Sequence, residues 1–122
     1  MQVNEIIISR VLKDLGISPV LSGYHYARYA INAVIKDPSV AASIVNKLYP
    51  LIAKQFNTTP SRVERAMRHA IESGWIKGNQ KLQYELFGFT VDANKGKPTN
   101  GEFIATVADY LNLGKPEENS NG

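Results

Sequence analysis

The chain has 122 residues, enough for one domain with one modest core, and 43% hydrophobic against 20% charged residues is the balance of a globular chain rather than a disordered one. It contains no cysteine, which excludes disulfides and thiolate metal sites, and its two histidines, His25 and His69, do not suggest a zinc site with carboxylates. The net charge of +3 is too small to name a ligand. No apolar run reaches the roughly 18 residues of a membrane span, and no signal-peptide pattern opens the chain. The expectation is a soluble cytoplasmic protein with no membrane partner, no metal and no cofactor.

Apolar residues recur at helical spacing almost throughout. Ile7, Ile8, Val11, Leu12 and Leu15 form the first stripe, stopped by Gly16 and Pro19. Tyr26, Ala27, Ala30, Ile31, Val34 and Ile35 form the second, with Ser22 as a candidate cap; Asp37-Pro38 ends it, because a residue before proline is pushed out of the α region. The third segment, Val40 to Phe56, holds Pro50 in its middle and predicts either a kinked helix or two short helices meeting at Leu48–Pro50. Val63, Ala66, Met67, Ala70, Ile71, Gly74 and Trp75 pattern the longest helix, closed by Gly78-Asn79. A short helix from about Lys81 to Phe87 follows, then an irregular stretch from Gly88 to Pro98 whose only β-like run, Phe87 to Val91, is too short to stand alone. The last helix starts near Thr99 or Asn100, has Glu102 in its first turn, and carries Phe103, Ile104, Val107, Ala108 and Leu111. The fold class is all-α, a compact bundle of about six helices over residues 1–113, with a polar, disordered tail over 114–122.

Within it, YPLIAKQFNTTPSRVERAMRHAI has the organisation of a helix-turn-helix spanning about residues 48–75. Ala53 is small where two helices cross closely; Ile52, Phe56 and Val63 are apolar where they pack; Asn57 stands where a left-handed residue is wanted. The second helix starts either on Thr59 with Pro60 at its first position, or on Ser61 with Glu64 closing a capping box. At 100° per residue its apolar stripe lies opposite Ser61, Arg65, Arg68, His69 and Glu72, with Arg62 and Glu64 at the flank. Arginine is the side chain whose planar fork matches guanine O6 and N7, and the N-terminal part of a recognition helix is what reaches base edges. From Lys54 to Lys81, six basic residues (Lys54, Arg62, Arg65, Arg68, Lys77, Lys81) face two acidic ones (Glu64, Glu72), a local excess of four against +3 for the whole chain. A charged helical face on its own is usually only solvated surface. Here the turn residues and the continuous packing stripe favour double-stranded DNA as the ligand. Glu64 serves either as a cap or as an acceptor from cytosine N4. Met67, Trp75 and the tyrosines of the second helix are core, while Lys95 and Lys97, ahead of a helix N-terminus, are candidates for phosphate.

The run LYPLIAKQFNTTPSRVERAMRHAIESGW, then GN…LFGFTV and KGKPTNGEFIATVADYL, resembles the C-terminal effector domain of the stage zero sporulation protein A family, from about Ile6 to Leu113. The resemblance implies a six-helix, non-enzymatic transcription regulator of sporulation initiation, part of a two-component response regulator that activates or represses. It implies binding to a TGTCGAA-type box, often as a tandem homodimer, with Arg62, Glu64, Arg65, Arg68 and His69 on the recognition helix. It also implies that Gly78 to Val91 contacts the RNA polymerase sigma factor, through Gln83, Glu85, Leu86, Phe87 and Val91, and that the last helix takes part in dimer contacts. The family's receiver domain has no counterpart in this sequence, so the expectation is a domain without phosphorylation control. Pro60, where the family often has a small residue, is expected to stiffen the turn. The competing readings are a non-specific nucleic-acid module and a protein-interaction domain with an arginine face; a weaker one, an enzyme, lacks a nucleophile motif or Gly-rich phosphate loop.

Overall fold

The helical spacing resolves into six α-helices in a computed structural model that describes residues 5–88 and 96–113. They are α1 (Glu5–Asp14), α2 (Ser22–Lys36), α3 (Tyr49–Gln55), α4 (Pro60–Lys77), α5 (Gln80–Phe87) and α6 (Asn100–Leu113). No strand occurs among the described residues. Phe87, the first residue of the β-like run, is the last of α5, while residues 89–91 of that run, Lys95 and the tail lie outside the described residues.

Around Pro50 the backbone stays helical and changes its winding, with Leu48 at φ −73° and ψ −49° and Tyr49 at φ −61° and ψ −43°. A 3-10 turn (Pro38–Ser43) runs into a π-helical turn (Ile44–Leu48), and α3 begins only at Tyr49. Pro50 thus falls directly after a π-helical turn, and the change of winding accommodates its missing N–H. Asp37 starts the 3-10 turn by accepting bonds from the Ser39 amide (3.2 Å) and hydroxyl (2.6 Å). Those two bonds, with Lys47 nearby, hold its carboxyl below the usual carboxylate range. Leu21 rather than Ser22 takes the cap position of α2, and no side chain closes that end.

Helix α2 is the centre of the bundle and packs on α1, α4 and α6. Its approach to α4 is at backbone distance: a Cβ on Gly23 would lie 2.2 Å from the Ala66 carbonyl oxygen. The core joins Ile8 and Leu12 of α1 with Leu15 just beyond it, Ala27, Ala30 and Ile31 of α2, and Val63, Met67 and Ile71 of α4. Each large aliphatic there contributes about 1.5–3 kcal/mol relative to exposure. At the other end of α4, Trp75 meets the rings of Phe87 (5.1 Å) and Phe103 (6.1 Å) edge-on, and Phe87 stacks on Phe103 at 5.7 Å. Those three rings fasten α5 and α6 to α4. With its inner stripe occupied on both ends, α4 is left with one face for solvent or ligand.

Candidate nucleic-acid interface

The turn between α3 and α4 is built as its residue types dictate. After Gln55, Asn57 adopts φ +56°, the left-handed region that Asn tolerates better than other non-glycine residues. The Thr58 amide then donates to the Ala53 carbonyl at 2.9 Å, the six-to-one bond of a Schellman ending. Thr59 is extended, and its hydroxyl accepts from the Arg62 amide at 3.2 Å, with Pro60 at the first helical position. Of the two possible starts, the Thr59 cap is therefore the one used. Asn57→Gly is expected to leave stability within about 0.5 kcal/mol, whereas Asn57→Val costs about 1–2 kcal/mol; urea unfolding midpoints of the two variants check this.

Phe56 departs from the expectation that it packs between the two helices. Because it follows the last turn of α3, its ring leaves that stripe and lies edge-on to Tyr26 (5.1 Å) and Tyr29 (5.8 Å) of α2, half-exposed. It braces the turn against the body instead.

On α4, Ser61, Arg62, Arg65, Arg68, His69 and Glu72 are all exposed, while Val63, Met67, Ala70, Ile71 and Gly74 are buried behind them. One rod thus carries a guanidinium face outward and its apolar face inward. Arg62 and Arg65 have no carboxylate partner among the described residues. Arg68 pairs with Glu64 one turn earlier, so Glu64 is not a capping-box residue. An exposed i, i+4 pair of this kind is worth about 0.3–0.5 kcal/mol, little enough to yield to a better partner. Lys97 reaches Glu72 at 3.5 Å, which puts it beside the same face. Four cations against two carboxylates leave this side positive. Lys54 is exposed on α3. Lys77 is exposed but about 18 Å along α4 from Arg65, at 1.5 Å per residue, and off its face.

The beginning of α6 closes the site from the side. Thr99 and Glu102 form a reciprocal capping box: the Thr99 amide donates to Glu102 Oε1 (2.9 Å) and the Glu102 amide to Thr99 Oγ1 (3.1 Å). Buried Asn100, which the sequence reading did not single out, donates from Nδ2 to the Tyr49 hydroxyl and to the Glu64 carbonyl, both at 3.0 Å. Burial pushes the Tyr49 phenol above its ordinary value of 10.0, against the opposing effect of the Asn100 bond and with help from Glu64. A raised folded pKa means that this group's contribution to stability is intact below about pH 10 and is lost as pH rises through the folded value. The alkaline fall in the urea midpoint, between pH 8 and pH 11, is accordingly expected to be smaller in Tyr49→Phe than in the parent.

A family model described as Sporulation initiation factor Spo0A C terminal matches residues 8–111. The chain belongs to that family. In this Spo0A C-terminal domain the matched range runs from the first buried residue of α1 to near the end of α6 and contains the whole helix-turn-helix. The family is one of DNA-binding regulators of sporulation transcription. No helix among the described residues is long and apolar enough to cross a membrane, and none of their His, Asp and Glu side chains form a group of three able to hold a metal ion.

The candidate polymerase region of the Spo0A domain divides by burial. Gln83 is 7% exposed and donates from Nε2 to the Leu15 carbonyl at 3.2 Å, and Phe87 is 2% exposed within the ring cluster. Both side chains face the bundle and hold α5 to it. Glu85 is exposed and Leu86 half-buried, beside Tyr84 at 69% exposure.

Proposed function

We propose that the domain binds a TGTCGAA-type box in duplex DNA by laying the N-terminal two turns of α4 in the major groove. The observation that carries this reading is the arrangement of Arg62, Arg65 and Arg68 on one exposed face, behind a turn whose Asn57, Thr59 and Pro60 adopt the backbone that a helix-turn-helix needs. Arg65 and Arg68 reach guanine edges, Glu64 orients Arg68, and His69, Ser61 and Arg62 meet the flanking phosphates and bases. Lys54 and Lys97, with Lys95, bind phosphates on either side; Lys77, remote from the arginine face, is left for a phosphate further along the duplex. Two domains sit in tandem on adjacent boxes, with α6 at their contact. Glu85, Leu86 and neighbouring Tyr84 form the surface offered to the sigma factor, so that the bound domain activates or represses according to box position.

A gel-shift with the box and with a scrambled duplex, at one stated salt concentration, tests the reading. The expected result is a box complex that survives scrambled competitor at 150 mM salt. Complexes on both duplexes that collapse together with salt would instead mark a non-specific binder, since phosphate contacts alone are steeply salt-dependent. No duplex binding at all would favour an acidic protein partner.

A further inference from the structure

We propose that Asn100 is a positioning residue that sets the angle between α3 and α4, and through it the seat of the arginine face in the groove. The inference rests on reading α4 as the base-reading helix.

Helices α3 and α4 are packed on each other and joined by a short turn, but apolar packing leaves helices freer to slide and rotate than a directed bond does. The turn at residues 56–59 ties the C-terminus of α3 to the N-terminus of α4. Tyr49 stands at the opposite end of α3, about 9 Å from Gln55 at 1.5 Å per residue. A bond from Tyr49 to a third element that also grips α4 supplies a directional tie at that end, and Asn100 is placed to make it. Its one amide nitrogen carries two hydrogens, directed to the Tyr49 hydroxyl and the Glu64 carbonyl. The Glu64 carbonyl already accepts the ordinary helical bond, and Asn100 uses its second lone pair. The grip therefore falls on the backbone between Arg62 and Arg68 without using any side chain that faces outward.

Asn100 is itself held. It is 8% exposed, and the Thr99–Glu102 capping box fixes the first turn of α6 around it. Aspartate in its place accepts from Tyr49 but has no proton for the Glu64 carbonyl, and leucine, of similar shape, makes neither bond. A rotation of α4 that moves a guanidinium by about an ångström spoils a bidentate base contact while phosphate contacts, made by long flexible side chains, readjust.

The test measures equilibrium binding of the parent, Asn100→Leu and Tyr49→Phe to box and scrambled duplexes at 150 mM salt, with thermal melts of all three. The expected result for Asn100→Leu is a box-to-scrambled affinity ratio reduced about tenfold, the worth of one well-made base contact, with scrambled binding changed less than about twofold. Tyr49→Phe, which keeps the Glu64 bond, is expected to lose about two- to threefold in the same ratio. A lower melting temperature with an unchanged ratio in the folded variants would overturn the inference and leave Asn100 a structural residue only. If Asn100→Leu does not fold, the ratio for Tyr49→Phe decides in the same way. A parent chain with no box preference would sink the reading of α4 itself, an outcome distinct from a preference that the variants retain.

Discussion

Replacing Arg65 with alanine is expected to weaken binding to the box by about 1–3 kcal/mol, or roughly 5- to 150-fold, while binding to scrambled duplex stays nearly unchanged. The side chain is exposed and pairs with no carboxylate among the described residues, so its removal takes no contact from the fold. Alanine is also the better helix former, and stability is expected to stay within about 0.5 kcal/mol. Any loss of affinity then belongs to the DNA contact. Arg65 sits in the second turn of α4, between Ser61, Arg68 and His69 on the exposed side, where a helix lying in the major groove brings a fork closest to base edges. Lys54→Ala provides the contrast: it is expected to weaken box and scrambled binding alike and to lower the salt slope by about one. Equal losses on both duplexes for Arg65→Ala would assign that residue to phosphate.

Gly16→Ala is expected to cost about 3–5 kcal/mol, comparable to the whole stability of a marginal domain. Gly16 has φ +98°, and a Cβ there would lie 2.2 Å from the Gly74 carbonyl oxygen and 2.7 Å from both the nitrogen and Cα of Gly78. All three are backbone atoms, so no side chain can swing aside. The end of α1 and the end of α4 must separate, and with them go the bonds from the Asn79 amide to the Asp14 carbonyl (3.1 Å) and from Gln83 to Leu15. Gly96→Ala isolates the conformational part of the effect. Its φ is +77°, but nothing among the described residues lies within 4 Å of a Cβ there, and the expected cost is about 1 kcal/mol. Urea denaturation of both variants checks the difference; near-equal costs would mean that the packing of α1 on α4 yields easily.

What the sequence could show here depended on whether the deciding interaction was local. The turn at Asn57 and the opposed faces of α4 were legible because each rests on a residue type and a spacing within one stretch of chain. The structure at Pro50 was legible only as two alternatives, since a missing N–H can be absorbed either by a break or by a change of helical winding. Of the two starts open for α4, Thr59 is the one used, which leaves Glu64 to Arg68; the capping box of the structure stands instead at Thr99–Glu102. The Asn100 grip joins residues 51 and 36 positions apart, and no periodicity records such a pairing. The inward direction of Gln83 and Phe87 was hidden for the same reason. On a short helix, whether a polar amide or an aromatic ring faces inward is settled by distant partners, here Leu15, Trp75 and Phe103. The match to the Spo0A C-terminal family agrees with the resemblance carried by the α4 and α6 motifs.

The claim on which the functional account stands is that the arginine side of α4 enters the major groove, and methylation interference on the box reads this directly. Guanine N7 lies in the major groove and adenine N3 in the minor groove. The account predicts that N7 methylation of box guanines blocks binding, that N3 methylation of box adenines does not, and that Arg65→Ala makes one guanine indifferent to its methyl group. Interference confined to adenine N3, or none at any base, would contradict it.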